Sequence, residues 1–306
     1  MQIRKRKRED DVDLPFTPEN LEEGYFYIHH DRQITEIPEA VDPHRLPDSE
    51  DLVRVLSKKE GSLVIVWDRI ACVCKSGWAV PPVEEEAMKL VKQHTSVPVP
   101  NIIESSRVYR PMLDDRAIYM GYIPGVSLKE RWPKLDSWAK HRVCRQLWHL
   151  IEKIQEIPRP DHMNDHFQGP ADGSSPRHPL IEDLGSPSFP LMSDEDVRAR
   201  IHERYLYFCG CKYESELPDM LPRAERSVFA HGDLSPRHIM VDDDNKITGI
   251  LSWENAGWYP EYWEYINVMK WRPDNVDWSD WMDWMEFTAS KKWDMTGIRA
   301  ARTVLF

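Results

Sequence analysis

The alternation of apolar and polar positions divides the 306 residues into three stretches. Residues 1–48 are polar, dotted with proline and acidic after a short basic run. Tyr25-Phe26-Tyr27-Ile28 is their only compact apolar group, so this stretch reads as a flexible or loosely docked extension. From Leu52 the pattern changes to short apolar runs broken by turn residues: Val53-Arg54-Val55-Leu56, Ser62-Leu63-Val64-Ile65-Val66-Trp67 and Ile70-Ala71-Cys72-Val73-Cys74-Lys75. These predict strands, as does Ala117-Ile118-Tyr119-Met120. Between them, Glu84 to His94 predicts a helix. Pro81-Pro82 precedes it, acidic residues fill its first turn, and Lys89, Lys92 and His94 lie late. Beyond residue 125, Trp138 to Gln155 carries Val143, Leu147, Leu150, Ile151 and Ile154 at helical spacing. Residues 157–191 are rich in Pro, Gly, Ser and Asp and predict a long irregular segment, of the kind that is functional or mobile in compact domains. Trp278, Trp281 and Trp284 recur every three residues, which predicts the buried face of a helix.

Composition narrows the function classes. With 40 basic and 52 acidic residues the net charge is −12, which argues against nucleic acid as a partner. An acidic surface suits a cationic small molecule and also serves solubility. The five cysteines are an odd number in a long chain, so a disulfide framework is not expected. Cys72 and Cys74 alternate along an apolar run and predict buried thiols on one strand face. No run approaches the ~20 apolar residues of a membrane span, and the N-terminus lacks the apolar core of a secretory signal. These features predict a cytoplasmic protein. The run Arg4-Lys5-Arg6-Lys7-Arg8 allows a nuclear address as the alternative.

The chemistry concentrates in residues 228–254. His231-Gly232-Asp233 sits between a short apolar run and the strand-like Ile239-Met240-Val241. A second apolar strand, Ile247-Thr248-Gly249-Ile250-Leu251, leads into Ser252-Trp253-Glu254. Phosphoryl-transfer sites of the kinase type are laid out in this way. An Asp in the catalytic loop takes the hydroxyl proton, an Asn five residues on holds metal, and an Asp after the next hairpin holds metal too. Asp233 occupies the first position, as candidate general base, with a purely structural Asp closing the loop as the alternative. His238 and Ser252 occupy the two metal positions. Magnesium wants anionic or carbonyl oxygen. A serine offers one neutral oxygen, and imidazole suits zinc, copper, iron or nickel. Glu254 shares a face with Ser252 on an extended stretch and could supply a substitute carboxylate.

Residues 231–241 and 247–265, ending in Trp253-Glu254-Asn255-Ala256-Gly257-Trp258-Tyr259-Pro260-Glu261-Tyr262-Trp263-Glu264-Tyr265, resemble the aminoglycoside phosphotransferase and choline-kinase-like family, its fungal members above all. The resemblance extends more weakly from about residue 50 to the C-terminus. It implies an α+β, protein-kinase-like fold, with a small mixed sheet lobe and hinge over 49–124, a larger, mainly helical lobe over 125–306, and a cleft between them. It implies an ATP-dependent kinase acting on a small-molecule hydroxyl, with magnesium handling altered by His238 and Ser252. Lys75 would pair with the nucleotide phosphates and with a helix glutamate, best matched by Glu86, with Glu84 and Glu85 close by. Met120-Gly121-Tyr122 resembles the linker where adenine pairs with backbone, so Met120 and Tyr122 are nucleotide-binding candidates. Two other functions remain open: a kinase-fold binding protein without catalysis, and a kinase-fold enzyme with non-phosphoryl chemistry that keeps Asp233 as acid or base.

Overall fold

The alternating apolar runs pair into a single antiparallel sheet of seven strands. In a computed structural model, residues 24–28, 34–37, 52–110, 113–161, 166–185, 190–270 and 280–306 are described. The sheet comprises β1 (Gly24–Ile28), β2 (Ile34–Ile37), β3 (Leu52–Lys59), β4 (Ser62–Trp67), β5 (Cys72–Gly77), β6 (Ile102–Arg110) and β7 (Leu113–Gly121), in the order β2-β1-β3-β4-β5-β7-β6. One face is packed by Val53, Val55, Leu63, Ile65, Cys74 and Ala117, the period-2 residues of neighbouring strands. Cys72 and Cys74 are buried free thiols, and burial raises the Cys74 thiol to about 12.

Two features of this sheet differ from the sequence reading. The expected extension contributes strands: Tyr25 to Ile28 lies on β1, which pairs with β2 and with β3. The rest of residues 1–48, including the run Arg4 to Arg8, lies outside the described residues. Strand β6 was not anticipated. Glu104, Ser105 and Arg107 are exposed on it, so it carries no alternating apolar signal and is held by its ladder to β7 at the sheet edge.

The chain divides into two compact units, residues 1–81 with 100–122, and residues 82–99 with 123–306. Helix α1 (Pro82–His94) thus belongs to the second unit, although strands of the first flank it in sequence. It starts at a proline, carries Glu84 and Glu85 in its first turn, and buries Val83, Ala87, Met88 and Val91.

The second unit continues with β8 (Val126–Ser127), α2 (Leu128–Arg131), α3 (Ser137–Gln155), β9 (Gly169–Pro170), α4 (Asp194–Tyr207), α5 (Leu217–Met220), β10 (Ser227–Ala230), β11 (Ile239–Val241), β12 (Ile247–Ile250), β13 (Gly257–Pro260), α6 (Trp263–Val268), α7 (Trp281–Thr288) and α8 (Thr296–Leu305). Asp136 caps α3, accepting from the Ala139 amide at 2.7 Å. The core gathers Ile201, Tyr205, Leu217, Trp263, Ile266 and Ile298 from α4, α5, α6 and α8, with Tyr262 at the N-cap of α6. The tryptophan stripe is a packing face where it is described. Trp281 is fully buried edge-on against Trp132, their rings 5.1 Å apart, and Asp280 accepts from the indoles of Trp132 and Trp284. Trp278 lies outside the described residues. Two three-stranded sheets, β10-β13-β9 and β12-β11-β8, frame the loop between β10 and β11.

Candidate functional site

The loop that follows β10 is held from below by a buried carboxylate. Glu264 projects from α6, is 2% exposed, and its Oε2 accepts from the amides of His231 at 2.6 Å and Gly232 at 3.2 Å. Burial raises its carboxyl to about 7, against the opposing pull of those amides. Its other oxygen, Oε1, is buried without a hydrogen-bond partner, which fits a carboxyl that holds a proton there. Gly232 has φ +80°, and a Cβ there would stand 2.5 Å from the Asn255 carbonyl oxygen, so the turn requires glycine.

His231 locks the same loop from within. It is fully buried, and its Nδ1 accepts from the Asp233 amide at 3.1 Å. Nε2 therefore carries the proton, which it donates to the Leu251 carbonyl at 2.9 Å. Trp253 packs edge-on against the ring, 4.6 Å between centroids. Burial lowers the imidazole to about 4, so it is neutral at ordinary pH.

Asp233 is thereby presented at the end of a rigid loop. Its Oδ1 accepts from the Lys270 ammonium at 2.8 Å, with the two side chains 16% and 20% exposed. Burial would raise its carboxyl, but Lys270 and His238 outweigh burial and hold it below the usual carboxylate range. Asp233 is ionised at neutral pH. His238 sits in a short 3₁₀ turn, residues 236–238, and donates from Nδ1 to the Asp233 backbone carbonyl at 2.9 Å. With Nδ1 committed, Nε2 is the nitrogen left for a ligand. Burial lowers its pKa despite Asp233.

Ser252 joins this group through its neighbour: the Leu251 amide donates to the His238 carbonyl at 2.8 Å, while the Leu251 carbonyl receives His231. Ser252 has φ +67°, the left-handed region that asparagine and aspartate tolerate better than other side chains. Glu254 lies beside it, half-buried, and its charge acts on both His231 and His238.

These donors do not fit magnesium. Ser252 offers a neutral oxygen, His238 an imidazole, and the carboxylate of Asp233 is bound by an ammonium. Among the described residues no group of three His, Cys, Asp or Glu side chains is arranged to hold a metal. The acidic hairpin tip Asp242-Asp243-Asp244 is exposed at Asp243 and Asp244 and is met by basic groups. Arg131 pairs with Asp243 at 2.8 Å, and Arg142 donates to the Asp244 carbonyl.

The remaining candidates are distributed over both units. Lys75 is on β5 in the first unit, in register with Val64 and Ile118. Met120 is on β7, paired with Val73. The Gly121 amide donates to the Asn101 carbonyl at 2.9 Å and the Tyr122 amide to the Ala71 carbonyl at 2.7 Å. A base that used either amide would have to displace a bond already made. Glu86, on α1 in the second unit, is exposed and pairs with Lys89 at 3.1 Å, whereas Glu84 and Glu85 lie on the buried face. The structure thus brings together Asp233, His238, Ser252 and Glu254 and adds two residues to which the sequence assigned no role. Glu264 had a signal, standing with Glu261 within an aromatic and aliphatic run. Lys270 had none.

Comparison with known proteins agrees with this layout. The model described as the phosphotransferase enzyme family matches residues 51–284. Among solved structures, the chain is similar to an apo thermostable mutant of aminoglycoside phosphotransferase APH(4)-Ia, at 14% identity over 83% of this chain and 84% of that one, with TM-score 0.57. It is similar to a ternary complex of that enzyme with ADP and hygromycin B, at 13% identity over 83% of each chain, with TM-score 0.56. A GDP complex of an aminoglycoside 2'-phosphotransferase-IIIa mutant follows at 16% identity, over 86% of this chain and 84% of that one, with TM-score 0.51. At such identities the likeness carries the kinase-like fold alone. No curated protein matches the chain by sequence. The family match covers most of the chain, including the loop that presents Asp233 and the hairpin that ends at Ser252, and on it the chain belongs to the phosphotransferase enzyme family.

Proposed function

We propose that this chain is a small-molecule phosphotransferase that uses ATP, with Asp233 as general base and with magnesium handling altered or impaired. The observation that carries the reading is the presentation of Asp233. Its carboxylate is ionised and stands on a loop whose amides and imidazole are all committed to holding it in place. In the reaction the substrate hydroxyl passes its proton to Asp233 and its oxygen bonds to the γ-phosphorus. The bond from that phosphorus to the β,γ-bridging oxygen breaks, and ADP leaves with the electron pair. Lys75, Met120 and Tyr122 are assigned to the nucleotide by the family resemblance, and Glu86 is the weakest of these assignments because of its pairing with Lys89.

Metal neutralisation contributes several kcal/mol to such a transition state. Losing ~4 kcal/mol slows a step roughly a thousandfold. Slow turnover is therefore expected. The ion pair on Asp233 favours a second reading, a kinase-fold protein that binds nucleotide or a partner without catalysis.

Asp233→Asn separates the two. It keeps size and most hydrogen bonding but removes basicity, and general-base catalysis is worth ~10²–10⁴-fold. Rate and nucleotide affinity measured on the same folded variant should show turnover lost and affinity little changed. Full activity in Asp233→Asn would make the binding protein the correct reading. Turnover of a compound without phosphate, independent of ATP, would instead point to repurposed chemistry.

A further inference from the structure

The site has lost the donors of a divalent cation, yet a cation stands in it. Lys270 Nζ lies 2.8 Å from Asp233 Oδ1, and its charge reaches well beyond that contact. It acts on the Glu264 carboxyl and the His178 imidazole as well. Its backbone is anchored. Lys270 lies in the turn that closes α6, whose six residues are all buried, and its amide donates to the Asn267 carbonyl at 3.3 Å. Arg302 from α8 holds the same helix end, donating to the Ile266 carbonyl at 2.7 Å and to Asn267 Oδ1 at 3.3 Å.

Structural support alone does not account for this arrangement. Taking an ammonium and a carboxylate largely out of water costs about as much as their attraction returns, so such a pair is a weak source of stability. An ammonium beside the base does two other things. It disfavours a dication at the same place, and it offers a compact positive charge to a phosphate oxygen, the role lysine commonly plays at phosphate sites.

We propose that Lys270 is the phosphate-binding cation of this site, holding the terminal phosphate of the nucleotide where a divalent metal would otherwise stand. This rests on the reading of the site as one for a nucleoside triphosphate. When the ammonium shifts its bonding from Asp233 Oδ1 toward phosphate oxygen, the carboxylate is released to take the hydroxyl proton. Binding and base activation are then one event, and the protein needs no metal to hold ATP.

The test is nucleotide affinity of the full chain in EDTA and in magnesium, measured calorimetrically for ATP and AMP on wild type, Lys270→Met and Lys270→Arg. In wild type, ATP affinity should differ by less than about threefold between EDTA and magnesium, and in EDTA it should exceed AMP affinity by about tenfold, or ~1.4 kcal/mol. Lys270→Met should lose about tenfold in ATP affinity in EDTA with AMP affinity unchanged, and Lys270→Arg should keep most of it. Wild-type ATP binding that requires magnesium, or equal affinities for ATP and AMP, overturns the proposal without recourse to a variant. Lys270→Met binding ATP as wild type does also overturns it. In these three cases the phosphotransferase reading survives. Absence of any nucleotide binding by wild type, with or without metal, overturns both.

Discussion

Ser252 shows at the scale of a single residue how this site can be tested. Its backbone is left-handed, a conformation that costs an ordinary L-residue roughly 1–2 kcal/mol and that aspartate accepts more readily. Ser252→Asp therefore fits the existing main chain. His238→Asn removes the imidazole and keeps an N–H able to donate to the Asp233 carbonyl in its place. The double variant is expected to gain magnesium-dependent ATP binding or hydrolysis by about tenfold or more. The two changes should be non-additive, because both positions would serve one ion. Titration of ATP with magnesium on the single and double variants measures this. A folded double variant with unchanged affinity and rate would mean that the missing ligands are not what limits metal use. Lys270, whose ammonium faces the same carboxylate, would then be the next group to neutralise.

At the scale of an element, α6 governs the catalytic loop. Through Glu264 it reaches the amides of residues 231 and 232, and through Lys270, just beyond its end, it reaches Asp233. The raised pKa of Glu264 has a consequence for stability with a definite sign. An unfolded glutamate titrates near 4.5 and this one near 7, so the folded chain holds a proton that the unfolded chain releases. The corresponding stability is complete below pH 4.5 and is lost as pH rises through 7, by roughly 3 kcal/mol from the size of the shift. His178 and His231, depressed to about 3 and about 4, act in the opposite sense. Their contribution is present above about 6.5 and is lost as pH falls toward their folded values. Subtracting the unfolding free energies of Glu264→Gln from those of wild type, in matched buffers, cancels the histidines. The difference should fall by roughly 2–3 kcal/mol between pH 5 and pH 8. A flat difference would show that Glu264 titrates normally and that Oε1 carries no proton.

At the scale of the whole molecule, nucleotide should act as a ligand of the folded state. Stabilisation by binding follows mass action, about 2.7 kcal/mol at a hundred times the dissociation constant. For a chain of this size that corresponds to several degrees in Tm. ATP in EDTA should therefore raise Tm by the same few degrees as ATP with magnesium, and AMP by less. A magnesium requirement for the shift would restore an ordinary metal site, and no shift with any nucleotide would remove the ATP assignment. Among the described residues no helix is long and apolar enough to cross a membrane. What the sequence determined by itself was local. Strands β3, β4, β5 and β7, the helix that begins beside Pro82, and the loop and hairpins around Asp233 follow from period, turn residues and motif spacing, because neighbours in sequence meet there whatever the rest of the chain does. Tertiary structure decided the rest. Strand β6 has no apolar alternation and exists because β7 offers a ladder. Helix α1 lies between strands in sequence but groups with the second unit, a division that no local pattern along the chain announces. Lys270 and Glu264 look in sequence like an isolated surface charge and a helix carboxylate. Only the fold carries them across 37 and 33 residues to Asp233 and His231, because the partner of a charge is set by the path of the chain and leaves no periodic trace along it.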